Sequence, residues 1–163
     1  MTTTGIASAI ATIANGTTAV VNGVTITVKG IDPPPDALNT APLPCVYPLI
    51  GSADYDTTSE GSDNYLVTRD YTLQCAIDPK DQSSRSIKEL KARQFIDALV
   101  AKLMKYPTLD GLAGVREARV LRDTGSAEIE DNIPGAVSKS IYNGFEIVIQ
   151  VTELISRTYA ALE

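Results

Sequence analysis

From Tyr65 to Ile77 the chain alternates. Tyr65, Val67, Tyr71, Leu73, Cys75 and Ile77 are apolar, and the positions between them are largely polar after Leu66. A period of two held over that length fits one local structure, a long strand with one face against a core. A helix would scatter the same side chains around its axis. Such a strand needs a partner, so the chain must build a sheet. Asp78-Pro79 follows and marks its end. Arg69 is the one charged residue on the apolar side, and it reads as a snorkelling side chain near a strand end.

A second alternating run, Phe145, Ile147, Ile149 and Val151 against Glu146, Gln150 and Thr152, predicts a closing strand over Phe145 to Val151. Between the two lies a helical pattern. Ser86-Ile87-Lys88-Glu89 fits a capping box, and Ile87, Leu90, Phe95, Ile96, Leu99, Val100 and Leu103 form one stripe. That helix should run from Ser86 to about Lys105 and stop before Pro107. Val115 to Leu121 reads as a strand. Ile6 to Ala14 predicts a short amphipathic helix, stopped by Asn15-Gly16. Thr18 to Val21 and Val24 to Val28 flank Asn22-Gly23 and suggest a hairpin. Leu43 to Ile50 reads as a strand with prolines at both ends, a placement that suits an edge or a strand start.

Three stretches read as loops, the second of them as a long acidic loop or a flexible hairpin tip. Residues 31–42 contain Pro33, Pro34 and Pro35; residues 51–64 are dense in Gly, Ser, Asp and Thr; residues 123–140 are polar and acidic in the middle. The expected organisation is a single domain over residues 1–163, with 155–163 as a C-terminal extension. The length of 163 residues suits one domain with a real core. No run of apolar residues approaches the ~20 that span a bilayer, and Met1-Thr2-Thr3-Thr4-Gly5 lacks the basic region of a secretory signal.

The chain has no histidine. That removes the usual general base, the serine–histidine and cysteine–histidine nucleophile systems, and histidine-containing zinc sites. Two cysteines, Cys45 and Cys75, are too few for a four-cysteine site and read as buried free thiols. Their pairing is left open, since it requires neighbouring strands. There is no P-loop and no GxGxxG after a strand. Asp54, Asp56, Glu60 and Asp63 do not match the EF-hand spacing and read as solvated loop carboxylates. Glu128 and Glu130 lack surroundings that would perturb a catalytic pair. Ser83-Ser84-Arg85-Ser86 reads as the start of a helix rather than a modified site. No catalytic residue, cofactor site or metal site is expected. The net charge of −6 argues against a general phosphate-binding footprint.

What remains is charge on surfaces. Arg116, Arg119 and Arg122 put positive charge on one short strand. The bland reading is salt bridging within the subunit. The sharper one is contact with an acidic neighbouring copy, through Asp54, Asp56, Glu60 and Asp63 or through Glu128, Glu130 and Asp131.

The order of segments resembles the tail terminator proteins of long non-contractile-tailed bacteriophages, the phage lambda type. The resemblance rests on Leu43-Pro44-Cys45-Val46-Tyr47-Pro48-Leu49, on Gly51-Ser52-Ala53-Asp54-Tyr55 with the acids to Asp63, and on the long strand to Ile77 with Asp78-Pro79. It continues through the helix from Ser86 and Tyr106-Pro107-Thr108-Leu109-Asp110-Gly111-Leu112. It is a similarity of pattern and order, and the triple proline departs from it. It implies an α+β domain, a mostly antiparallel mixed sheet with helices packed on one face. It also implies a hexameric ring that caps the tail tube, stops its polymerisation and offers the surface for head joining, without catalysis. The partners implied are further copies, the tail tube protein and a head–tail connector protein, with DNA passing through the lumen without specific binding. The place implied is the virion, at tail or neck, after assembly in the host cytoplasm, with no membrane. The competing readings are another connector, neck or tube protein; an adaptor that binds through an exposed strand edge; and, from a different class, a small metal-dependent enzyme.

Overall fold

A computed structural model describes residues 3–57, 63–131 and 139–156. The elements in order are α1 (Thr3–Ala14), β1 (Thr18–Val21), β2 (Val24–Thr27), β3 (Lys29–Gly30), β4 (Cys45–Asp56), β5 (Asn64–Pro79), α2 (Arg85–Met104), β6 (Val115–Asp123), β7 (Ala127–Asp131) and β8 (Ser140–Ser156). The fold is α+β. The main sheet runs β3-β4-β5-β8-β6, with β7 pairing the first part of β8. Only β3–β4 is parallel; the other pairs are antiparallel.

The register follows from the alternation. Tyr71 lies opposite Ile149, Leu73 opposite Ile147 and Cys75 opposite Phe145, so the apolar sides of β5 and β8 form one face. Burying that face is what selects this register, because a slip of one residue would turn every apolar side chain outwards. Ala92, Phe95, Leu99 and Leu103 of α2 and Ile6, Ile10 and Ile13 of α1 cover it in one core. Both helices therefore sit on the same side of the sheet. The β1–β2 hairpin packs against α2. Its turn holds Asn22 at φ 50° and Gly23 at φ 78°, the paired left-handed geometry for which Asn-Gly is suited.

A second, smaller core lies on the opposite face at one end: Leu38, Cys45, Tyr47, Ala76, Ile129 and Tyr142. The proline-rich segment supplies its lid. Residues 31–42 form no strand, as expected, but a 3₁₀ turn at Leu38–Thr40 carries Leu38 into this core. Asp131 Oδ2 accepts the Leu38 N–H at 2.9 Å and ties β7 to that lid.

Several expectations are corrected. Residues 51–56 are strand rather than loop: Ala53 to Asp56 pair with Leu66 to Arg69 after a bulge at Gly51 and Ser52, because ladder hydrogen bonds outweigh the polar composition there. The second supposed loop contains β7, which pairs Ala127 to Asp131 with Ser140 to Gly144. Residues 58–62 and 132–138 of those loops, and 157–163 of the supposed extension, lie outside the described residues. Ile155 and Ser156 still belong to β8, which is ten residues longer than the predicted run from Phe145 to Val151, at 17 against 7. The capping box does not form. The N-cap is Ser84, without a side-chain cap bond, and Ser86 falls inside the helix. Arg69 sits within β5 rather than near its end. Its Nη1 donates to Gly51 O at 2.9 Å and its Nη2 to Tyr55 Oη at 3.2 Å, so it fastens the bulged strand β4.

Candidate functional site

The face of the sheet opposite the helices is open beyond the small core, and hydrogen bonds cross it in rows. Tyr47 Oη donates to Gln74 Oε1 at 2.7 Å, and Gln74 Nε2 donates to Glu146 Oε1 at 2.8 Å. Gln150 Nε2 donates to Asp70 Oδ1 at 3.3 Å, while Arg119 donates to Gln150 Oε1 from Nε at 3.1 Å and Nη2 at 2.7 Å. Thr68 and Thr152 hydroxyls lie 3.3 Å apart. These rows follow from cross-strand register, with polar residues directly opposite one another on three or four strands. The result is a polar surface whose side chains hold one another in place.

On one side the sheet ends in β6 and, along the first part of β8, in β7; on the other it ends in β4 beyond its short pairing with β3. Arg116, Arg119 and Arg122 lie on β6; Asp54 and Asp56 lie on β4, and Asp63 immediately precedes β5 at the same end. The predicted cations and the first acidic group thus occupy opposite edges of one sheet. They are not brought together within a subunit. Arg122 and Asp54 have no ion-pair partner among the described residues. Glu60 lies outside the described residues.

The second acidic group is engaged locally. Glu128 pairs with Lys80 at 3.1 Å, Glu130 with Lys139 at 3.2 Å, and Asp131 is buried against the Leu38 amide. Those three carboxylates lie on β7, which borders β8 on the same side as β6, so they share a side of the sheet with the arginines instead of facing them from the opposite edge.

Both edges are blunted against indiscriminate pairing. β4 carries Pro48 and the Gly51–Ser52 bulge; β6 has register shifts between Val115 and Glu117 and between Val120 and Arg122. The Ala118 amide is taken by Pro107 O at 2.6 Å. Beside β4 an apolar groove of about 410 Å³, lined by Ala7, Pro33, Pro34, Pro48, Leu49 and Ile50, opens towards solvent.

The buried polar cluster that sequence reading missed is centred on Asp78. It accepts from Asn143 Nδ2 at 2.8 Å, Lys91 Nζ at 2.7 Å and Ser83 Oγ at 3.1 Å, beside a hollow of about 440 Å³. Burial alone would raise the Asp78 carboxyl. The hydrogen bonds from Asn143 and Lys91, the Lys91 charge and the Ser83 bond outweigh it and hold the group below the usual carboxylate range. A carboxylate so held is a poor base for Ser83, and the paired Lys91 ammonium has no lone pair to offer. The cluster locks β5, β8 and α2 together. Its sequence signal was Asp78 next to a strand end with Lys91 on the following helix, too common a pattern to single out.

Glu153 is buried beside Val67 and Arg69, on the helix side of the sheet, and burial raises its pKa. Glu153 Oε1, Arg69 Nε and Tyr71 Oη are buried without a hydrogen-bond partner among the described residues. Tyr71 is pushed up to about 12, by burial and then by the Glu153 charge.

Cys45 and Cys75 are free thiols. Cys75 lies in the helix-covered core and Cys45 in the small core, on opposite faces of adjacent strands. Their Cβ vectors point apart, which prevents a disulfide. Among the described residues no three His, Cys, Asp or Glu side chains converge as a ligand set for a metal ion, and no helix is long and apolar enough to cross a membrane. No model of a known protein family matches the chain, and a search of curated proteins found no match.

Proposed function

We propose that this protein is a structural component of a phage virion, a tail terminator. Copies of it close into a ring, which we put at six, that caps the tail tube, halts its polymerisation and presents a surface to a head–tail connector protein. DNA passes through the ring without specific contacts, and the protein acts at the tail or neck of particles assembled in the host cytoplasm. It carries out no catalysis in this reading.

The observation that supports the reading best is the division of labour across one sheet. Both helices and the main core occupy one face; beyond the small core, the other face carries cross-strand rows of polar and charged side chains, with arginines on the β6 edge and aspartates on the β4 edge. Such a domain spends its interior on rigidity and its remaining surface on neighbours. Opposite charges on opposite edges suit a head-to-tail contact, and a head-to-tail contact that closes makes a ring. The segment order that resembles the terminator family points the same way.

The test is assembly in the presence of tail tube protein. The purified chain should run as a ring by light scattering and negative-stain microscopy, and adding it to growing tubes should stop elongation with one ring at the end. A chain that polymerises into long tubes by itself is a tube protein, and one that stays monomeric at every concentration is neither.

A further inference from the structure

We propose that neighbouring copies meet through Arg119 and Arg122 of β6 against Asp54 and Asp56 of β4 in the next copy, with the two sheets offset by four residues. This rests on the ring reading and specifies its subunit contact.

The levels of the four residues across the sheet carry the proposal. Arg122 is opposite Val148, which is opposite Thr72; Arg119 is opposite Gln150, which is opposite Asp70. On the other edge Asp54 is opposite Thr68 and Asp56 is opposite Leu66. The levels Thr72, Asp70, Thr68 and Leu66 are successive positions on the uncovered face of β5, so all four charged residues belong to that face. The two arginines are separated by one such step, and so are the two aspartates. Sliding the next copy by four residues, about 13 Å along the strand, brings Asp54 level with Arg122 and Asp56 level with Arg119 at once.

The flush register is disfavoured. Glu117 is opposite Thr152, and Thr152 is opposite Thr68, the level of Asp54. Without an offset Glu117 would face Asp54, while Arg119 would face the Gly51–Ser52 bulge and Arg122 would face Leu49. Like charges placed opposite one another are unfavourable and opposite charges favourable. Charge therefore selects the staggered register. A stagger repeated at every contact is what tilts the strands of a closed sheet against its axis. The strand directions agree: β6 runs antiparallel to β4 within the subunit, so the junction continues an antiparallel arrangement. With Ala118 N–H already bonded to Pro107 O and both edges bulged, the side chains rather than an unbroken backbone ladder form the junction.

The experiment uses two folded variants of the full chain. Arg119→Glu with Arg122→Glu reverses one edge; Asp54→Lys with Asp56→Lys reverses the other. Circular dichroism checks that each keeps the fold. Each alone should raise the concentration needed for assembly by roughly a hundredfold or more, since like charges then face one another at every junction. Mixed in equal amounts they should assemble again, as an alternating ring in which each reversed edge meets its reversed counterpart. Normal assembly of either variant alone, or a mixture of two folded variants that fails to assemble, overturns the contact and leaves the ring reading standing. A wild-type chain that never assembles overturns both.

Discussion

Asn143 donates from Nδ2 to Asp78 Oδ1 at 2.8 Å, across the point where the β5–β8 register shifts between Ala76 and Asp78. The same carboxylate takes Lys91 of α2 on its other oxygen. One buried side chain thus joins two strands and the helix above them. Replacing Asp78 by Ala should cost about 2 kcal/mol, because it takes the shared carboxylate from a half-buried ammonium and a buried amide. Urea unfolding at neutral pH measures it.

The same group sets an acid limb. Its folded pKa is depressed, so its contribution is complete above the unfolded value of about 3.9 and is lost as pH falls through the lower folded value. Wild-type stability should fall over that acid window, and Asp78→Asn should flatten the fall.

Glu153 acts with the opposite sign. Its folded pKa is raised, so the folded state binds its proton more tightly. The resulting penalty is absent below the unfolded pKa of about 4.3 and complete above the folded one. Glu153→Gln should therefore raise the urea midpoint at pH 7 and change it little at the acid end. An equal change at both ends would remove the charge from the explanation.

Gly144 marks the place where β8 exchanges β6 for β7 as its partner. A Cβ there would run into the backbone carbonyl of Cys75 and, at 2.9 Å, into Ile129. Gly144→Ala should cost about 3 kcal/mol through overpacking, whereas Leu99→Ala, in the middle of the core, should cost roughly 2–5 kcal/mol through the cavity it leaves. Thermal unfolding of the two variants separates the effects, since only the first should also disturb exchange of the β7 amides.

The thiols give a simple readout. Burial pushes Cys45 up to about 11 and Cys75 well above its ordinary value, which leaves little thiolate at neutral pH. Neither should react with a thiol reagent in the native protein, and both should do so in denaturant, with no disulfide formed under oxidising conditions.

Periodicity made β5, β8 and both helices legible, because each buries one face against the core and repeats its apolar residues accordingly. It failed where polar residues are held by pairing alone. Ala53 to Asp56 has little apolar content to announce a strand, yet β5 supplies its ladder. β7 was within reach: Ala127 and Ile129 alternate with Glu128 and Glu130, but four residues in an acidic stretch looked like solvent-exposed loop. At the candidate site the arginines were visible as charges. The engagement of the second acidic group was not, since Glu128 and Asp131 meet Lys80 and Leu38, distant in sequence, and Glu130 meets Lys139 across the β7–β8 connection.

β8 follows every one of its partners in the chain, and β6 and β7 pair with no other strand of the sheet. During synthesis the arginine-bearing strand therefore lacks its strand partner among the described residues until Ser140–Ser156 has left the ribosome. A chain interrupted before that point can form the β4–β5 hairpin but cannot display a β6 edge. If copies close into a ring through β4 and β6 as proposed, completion of translation would act as an inspection step, because a truncated copy would bring one contact surface rather than two.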